Sequence, residues 1–115
     1  MTLELFAGIP VRDRAAAVEW YERLLGSGPS FLPNDTEAVF ELAEARHLYL
    51  EERPEHAGHA MQTFFVDDFD ERIAAIAGRG LEPEVRETYG NGVRHVTYRD
   101  PDGNEISLGG APVEE

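Results

Sequence analysis

Hydrophobic and polar residues alternate in several short stretches of the chain and follow a helical spacing in two others. Alternation over Leu5–Val11 predicts a strand, and Val93–Leu108 predicts two strands joined by a turn. In that turn Asp100 and Pro101 suit the first two positions, and Gly103 can take the left-handed conformation that closes a hairpin loop. Each predicted strand therefore has one apolar face and one mixed face.

Two amphipathic segments predict helices that begin after an aspartate and end at a glycine. The first runs from Asp13 to Gly26 and the second from Asp68 to Gly80. Further strands are predicted at Glu37–Ala43, Arg46–Glu51, Ala60–Val66 and Glu82–Thr88, with a short one at Ser30–Leu32. The order strand, helix, strand, strand, strand therefore occurs twice.

The chain also resembles itself when it is shifted by 55 positions. Val18 then falls on Ile73 and Tyr21 falls on Ile76, so the two predicted helices match on their apolar faces. We expect a single domain built from two βαβββ modules, about residues 1–55 and 56–115. The predicted fold class is α+β, with the modules forming a partly closed, mostly antiparallel, barrel-like sheet. A central cleft in such a sheet is where small molecules bind.

Composition excludes several classes of protein. The chain has no cysteine, so disulfides and thiolate chemistry are excluded. Its net charge of −13 repels nucleic acid and anionic membranes. No apolar run reaches the roughly 20 residues of a membrane span, and the N-terminus lacks the pattern of a signal peptide. We expect a soluble, cytoplasmic protein that binds neither nucleic acid nor membranes.

Four motifs together resemble the vicinal oxygen chelate superfamily. They are Ile9–Asp13, Trp20–Gly26, Val66–Asp68 and Asp100–Asn104, and their order and spacing cover nearly the whole chain. That superfamily includes glyoxalase I, extradiol dioxygenases, fosfomycin-resistance enzymes and bleomycin-binding proteins. The resemblance implies the fold but does not choose between reactions. Arginine as the only basic residue besides histidine is typical of a GC-rich, bacterial genome.

The resemblance also implies where a divalent metal would be bound in the enzymes of the superfamily. The corresponding positions here are Phe6, Met61 and Ser107, and none of them is a credible ligand for a hard dication. We therefore expect no metal and no other cofactor, and this disfavours an enzyme without excluding one. A rearranged site built from His59, His95 and Glu105 is the alternative. Apart from that alternative, we expect Arg94 and Glu105 at the solvated edges of the sheet.

The preferred interpretation is a metal-independent protein of the bleomycin-resistance type that binds or sequesters a small, partly planar molecule. Aromatic and thioether side chains suit flat ligands because they give polarizable contacts. The predicted ligand-binding residues are Phe6, Met61 and Phe65 as an apolar wall, with Thr63, His95, Thr97 and Ser107 as polar contacts. We expect a homodimer, because superfamily members commonly pair and complete their clefts with the partner chain.

Two other interpretations remain open at this level. One is a metal-dependent lyase, isomerase or dioxygenase whose ligands have moved. The other is a structural or regulatory dimer whose cleft is filled by its own side chains. Trp20 and Tyr21 do not decide between them, because their spacing beside Leu24 and Leu25 assigns them to the core.

Overall fold

A computed structural model describes residues 3–113 of the chain. Within that range it has two α-helices, one short 3-10 helix and seven strands. The strands are β1 (Leu5–Val11), β2 (Glu37–Ala43), β3 (Arg46–Glu52), β4 (Met61–Val66), β5 (Val85–Thr88), β6 (Arg94–Arg99) and β7 (Glu105–Gly110), and the helices are α1 (Arg14–Leu25) and α2 (Phe69–Gly78). In the described part of the chain, neither helix is long and apolar enough to cross a membrane.

The strands form two sheets with the same pattern of strand pairing. The first sheet has the order β1-β3-β2, and the second has the order β4-β7-β6-β5. In each sheet the first strand of the module pairs in parallel with the last, and the other neighbours are antiparallel. The prediction of an α+β fold with two βαβββ modules is therefore confirmed. The sheets are mixed, and together they do not close into a barrel.

The first module is less regular than the second. Its predicted short strand at Ser30–Leu32 is reduced to a single antiparallel bridge between Phe31 and Val39. The corresponding strand of the second module is β5, which pairs with β6 over four residues. Proline, glycine and asparagine in the loop before Glu37 account for the difference, because they favour turns over an extended ladder.

The two helices begin at corresponding positions of the repeat but are capped differently. Asp13 accepts hydrogen bonds from the second and third backbone N–H groups of α1, at 2.9 and 3.3 Å, as predicted. Asp68 is the N-cap residue of α2, as predicted, but within residues 3–113 its carboxylate accepts from Arg72 and bonds to no backbone N–H group. Gly26 and Gly80 end the helical segments with φ of +82° and +95°.

One hydrophobic core runs through both modules. Each helix covers one face of its sheet, and the buried side chains of both layers belong to a single cluster. Tyr21 and Ile76, which the repeat places at equivalent positions, are 0% and 1% exposed. Trp20 packs against the cluster and is partly buried. The fully buried side chains include Ile9, Val11, Phe40, Leu48, Leu50, Tyr98 and Ile106.

The turn Asp100–Asn104 between β6 and β7 closes as predicted. Gly103 has φ of +96°, and its N–H donates to the carbonyl of Asp100 at 2.9 Å. The N–H of Asp100 donates to the carbonyl of Asn104 at 3.0 Å, which leaves a three-residue loop. The Tyr21 hydroxyl donates to the Asp100 carboxylate at 2.8 Å from across the core. We call this turn the joint.

Asn104 makes the joint the point where the two modules meet. Its side chain is completely buried. Its amide NH₂ donates to the Pro10 carbonyl at 2.8 Å and to Asp100 at 2.9 Å. Its amide oxygen accepts from the N–H groups of Gly58 and Ala60 at 3.0 and 2.9 Å. One amide thus ties β1, the connection between the modules and the β6–β7 turn together.

Candidate functional site

The second sheet has one face turned away from α2, which we call the concave face. Burial along β4 alternates, so Met61, Thr63 and Phe65 are exposed on this face while the residues between them turn towards the core. The strand registers bring six of the seven predicted ligand-binding residues onto it. These are Met61, Thr63, Phe65, His95, Thr97 and Ser107.

The apolar part of the concave face is open. Met61 is 74% exposed and Phe65 is 67% exposed, although both are large apolar side chains. Phe65 pairs in register with Gly109, and a Cβ atom added there would lie 3.1 Å from the phenylalanine ring. The glycine therefore gives the ring room to lie across β7. Exposed apolar groups on one sheet face indicate a surface that binds something.

Three hydroxyl-bearing residues form a row across the middle of this face. Thr63 pairs with Ser107 on β7, and Ser107 pairs with Thr97 on β6. The Thr97 and Ser107 hydroxyls are 3.0 Å apart and hydrogen-bonded, and both residues are buried. Their mutual bond leaves one hydroxyl hydrogen to be donated elsewhere, and Thr63 is exposed beside them.

His95 closes the row that contains Phe65 and Gly109. Its ring stacks on Tyr89 with 5.4 Å between the centroids, and its Nδ1 lies 3.6 Å from a Glu87 carboxylate oxygen. That separation is too long for a hydrogen bond, so the buried Nδ1 atom has no partner among the described residues. His95 is therefore a side chain with unmet hydrogen-bonding capacity at the edge of the face.

A cluster of charged residues lies beside Met61. Arg99 donates to Glu105 at 3.0 Å and to Glu84 at 3.3 Å, and these carboxylates raise its pKa. The sequence had assigned Glu105 and Arg94 to solvated edges. Glu105 instead lies on the concave face opposite Met61.

Arg94 also differs from its predicted place. Its guanidinium stacks over the Phe69 ring at 4.6 Å and donates to Asp70 at 2.7 Å on the helix side of the sheet. Its side chain is 23% exposed. The assignment of Arg94 to a solvated edge was therefore wrong, because alternation along β6 turns it towards α2.

Phe6 lies on the first sheet, whereas the other six predicted residues lie on the second. It stacks on His47, with ring centroids 4.2 Å apart and planes 10° from parallel. The Nε2 atom of His47 is 3.2 Å from a Glu4 carboxylate oxygen, and its Nδ1 atom has no partner among residues 3–113. Sequence reasoning assigned His47 to no face, yet alternation with the buried Leu48 is a signal that would have placed it beside Phe6.

A groove lies between the two modules and meets the concave face at β4. It is bordered by the start of β1, the end of α1, the turn between β2 and β3, and β4, and its volume is about 660 Å³. Volumes of this order are typical of small-molecule sites. We call it the intermodule groove. Its lining includes Leu5, Leu42, Arg46, His47, Thr63 and Phe65.

The divalent metal that the superfamily implies does not fit the residues at its predicted positions. Phe6 has no donor atom, and the Met61 thioether is a soft ligand. The Ser107 hydroxyl is neutral and is already bonded to Thr97. Within residues 3–113 no group of three or more His, Asp or Glu side chains could hold a metal ion.

The alternative metal set is not assembled either. On β7, Glu105 faces Arg99, whereas His95 faces Gly109 four residues further along. Four residues of strand span roughly 13 Å, which is far beyond shared coordination. His59 is exposed in the connection between the modules.

The family model of the glyoxalase/bleomycin resistance protein/dioxygenase superfamily matches residues 4–108. The chain belongs to this superfamily, as its four motifs indicated. Its structure is similar to that of a glyoxalase/bleomycin resistance protein from Catenulispora acidiphila. The two are 56% identical, with a TM-score of 0.92 over 96% of this chain and 100% of that chain.

Two more distant structures show the same fold. One is a bleomycin-binding protein in complex with bleomycin, 21% identical, with a TM-score of 0.78 over 96% of this chain and 99% of that one. The other is a lactoylglutathione lyase from Agrobacterium tumefaciens, 20% identical, with a TM-score of 0.78 over 96% of this chain and 95% of that one. At such identities the likeness shows the fold alone. None of the curated proteins matches the sequence.

Proposed function

We propose that this protein is a metal-independent binding protein that sequesters a small, partly planar organic molecule. The observation that carries the proposal is the exposure of Met61 and Phe65 on the face where the superfamily implies a metal. Flat ligands gain polarizable contact with such side chains, and the hydroxyl row beside them offers polar contacts. The bleomycin-binding neighbour shows that this fold can hold a small organic ligand.

The exposure also argues against a cleft filled by its own side chains. A plug would bury its apolar residues, yet Met61 is 74% exposed within the single chain. An enzyme with a relocated metal site is supported by the lyase neighbour only at the level of fold. A divalent metal found in the purified protein would favour that enzyme over the binding protein.

We further propose that the chain acts as a single domain and pairs as a cytoplasmic homodimer. The core shared by both modules supports the single domain. Exposed apolar side chains of the first module support pairing, since an isolated chain would leave them in water. They are Phe6 and Phe31, which are 45% and 51% exposed.

The binding proposal is tested by changing Met61 to Glu. A ligand at one hundred times its Kd stabilises the folded state by about 2.7 kcal/mol, which raises the Tm measurably. The new carboxylate would face the apolar ligand without a partner, so Met61→Glu should abolish the rise in Tm given by planar aromatic compounds. Leu32→Glu is the control, because Leu32 is 53% exposed in the loop of the first module.

Without ligand, Met61→Glu should melt within a few degrees of the wild type, since the charge stays in water. A variant that cannot fold would mean that Met61 is buried in the native assembly. Elemental analysis that finds about one divalent metal per chain would overturn metal independence. Light scattering that gives the mass of one chain at micromolar concentration would overturn the homodimer.

A further inference from the structure

The arginines of this chain are paired with one exception. The sequence has ten arginines and 23 acidic residues. Within residues 3–113, nine of the arginines bind a carboxylate or a backbone carbonyl through their side chains. Arg46 is the tenth, and in that range its side chain has neither a salt bridge nor a hydrogen bond. So large an excess of acid makes one unpaired arginine unexpected.

Arg46 lies where a ligand could reach it. It begins β3, pairs in register with Leu5, and lines the intermodule groove. Its neighbour His47 lines the same groove, is 9% exposed and has no hydrogen-bond partner for Nδ1 in the part of the chain that the structure describes. Glu41 is the one acidic side chain of the lining, and the other arginine there, Arg72, is bound by Asp68.

The rest of the groove offers apolar surface close to this charge. Leu5 and Leu42 are 55% and 37% exposed, and Phe65 brings the edge of the concave face into the same lining. A groove of about 660 Å³ with apolar walls and one free guanidinium suits a ligand with two parts. One part is apolar, and the other is a single planar anion.

We propose that the intermodule groove binds an amphipathic small molecule carrying one carboxylate, which Arg46 holds. The guanidinium fork matches a carboxylate with two parallel hydrogen bonds, which a lysine could not do. The apolar body lies against Leu5, Leu42 and Phe65, and Phe65 continues the contact onto the concave face. This inference rests on the proposed binding function and narrows the class of its ligand.

The net charge of the whole chain favours monocarboxylates over polyanions as ligands of the groove. A net charge of −13 repels anions at distances up to the screening length of about 8 Å at physiological salt. A polyanion carries most of its charge beyond the reach of Arg46 and meets that repulsion. A monocarboxylate has its one charge at the guanidinium, where the local attraction is stronger than the distant repulsion.

The test compares three probes of one shape: 2-naphthoate, the neutral 2-naphthamide and the cationic 2-naphthylmethylammonium. Calorimetry on the full chain should give the tightest binding to 2-naphthoate, at least tenfold tighter than to the amide. Arg46→Gln should remove that tenfold preference and leave the affinity for the amide within twofold. Arg23→Gln is the control, since Arg23 pairs with Glu19 on the exposed face of α1.

The outcomes separate this inference from the binding function. Equal affinity for the carboxylate and the amide, or a preference for the cation, would overturn the inference and leave the binding function standing. Failure of all three probes to bind would overturn both the carboxylate inference and the proposed binding function for planar ligands. If Arg46→Gln instead changed the dimer dissociation constant and not the carboxylate preference, the arginine would serve the partner chain, and the inference would be wrong.

Discussion

The two modules share their order of elements, yet the turn between the last two strands does different work in each. In the second module it is the joint, whose Asn104 amide bonds to β1 and to the connection between modules. In the first module the corresponding turn between β2 and β3 is tight, with Ala45 at φ of +62°. That turn borders the intermodule groove, and within residues 3–113 its bond to another strand stays in its own module, from the Leu5 N–H to the Ala45 carbonyl at 2.8 Å. One turn therefore fastens the modules, and the other borders a candidate site.

The comparison explains why the most recognisable motif of the chain is not its chemical site. Asp100–Asn104 carries much of the resemblance to the superfamily, but its polar groups are buried and bonded to the protein itself. Buried polar groups that are fully bonded specify one arrangement, because any other leaves donors and acceptors unsatisfied. The motif therefore fixes how the modules sit together. The exposed residues of β4 remain available to a ligand.

Asn104→Ala is expected to have the largest effect, because it removes the amide that fastens the modules. The carbonyl of Pro10 and the N–H groups of Gly58 and Ala60 would lose their partner in a buried place. We expect a loss of about 3–5 kcal/mol in the free energy of unfolding, measured by urea denaturation. Asn91→Ala is the matched control in an exposed turn, where the side chain accepts one bond, from Val93, and should cost under about 1 kcal/mol. Equal losses would mean that the joint is an ordinary turn.

Two buried tyrosines, one from each module, give the next contrast. Tyr21 donates to Asp100 at 2.8 Å, whereas the buried Tyr98 hydroxyl has no partner among the described residues. Tyr21→Phe should cost about 1.5–3 kcal/mol because the bond is to a carboxylate. Tyr98→Phe should cost almost nothing or stabilise the protein, since it removes an unsatisfied group. Chemical denaturation of both variants measures the difference, and the reverse order would contradict the assignment of Tyr21 to the joint.

Unfolding at alkaline pH tests the same two tyrosines through their ionisation. Burial, with the nearby Asp100 charge, raises the pKa of Tyr21, and burial raises the pKa of Tyr98. Their raised pKa values stabilise the folded state fully below the unfolded value of about 10, and this contribution is lost as the pH rises above it. The free energy of unfolding should fall above that pH, and less steeply in Tyr21→Phe. An unchanged slope in the variant would show that Tyr21 does not titrate with unfolding.

The helix caps are expected to give the smallest difference between the modules in the free energy of unfolding. Asp13→Ala should lower the free energy of unfolding by about 1 kcal/mol, because two N–H groups of α1 lose their acceptor. Asp68→Ala should change it less, since that carboxylate is exposed and bonds only to Arg72. Arg72 lowers the pKa of Asp68, so its small stabilisation is present above the unfolded pKa and fades as the pH falls. A larger effect at Asp68 would mean that its carboxylate stabilises α2 more than the Asp13 cap stabilises α1.

The sequence alone placed the candidate-site residues of one strand on a shared face, but it did not show which strands share that face. Alternation placed Met61, Thr63 and Phe65 on one face correctly, because strand side chains point to opposite sides at every step. It also grouped Phe6 with them, but Phe6 lies on the other sheet, so an apolar wall shared by these residues stays a prediction. Parity along a strand says which face a residue takes, but it does not say which other strands share that face.

By itself the sequence determined the elements, the repeat, the closed joint turn and the absence of suitable metal donors at Phe6, Met61 and Ser107. These depend on local spacing and on residue chemistry, which a chain carries before it folds. Only the tertiary structure decided that Asn104 bonds Pro10 across 94 positions of sequence and that Arg46, without a partner within residues 3–113, borders a groove. Such facts depend on contacts between segments far apart in the chain, and the packing of the two modules against a shared core sets them.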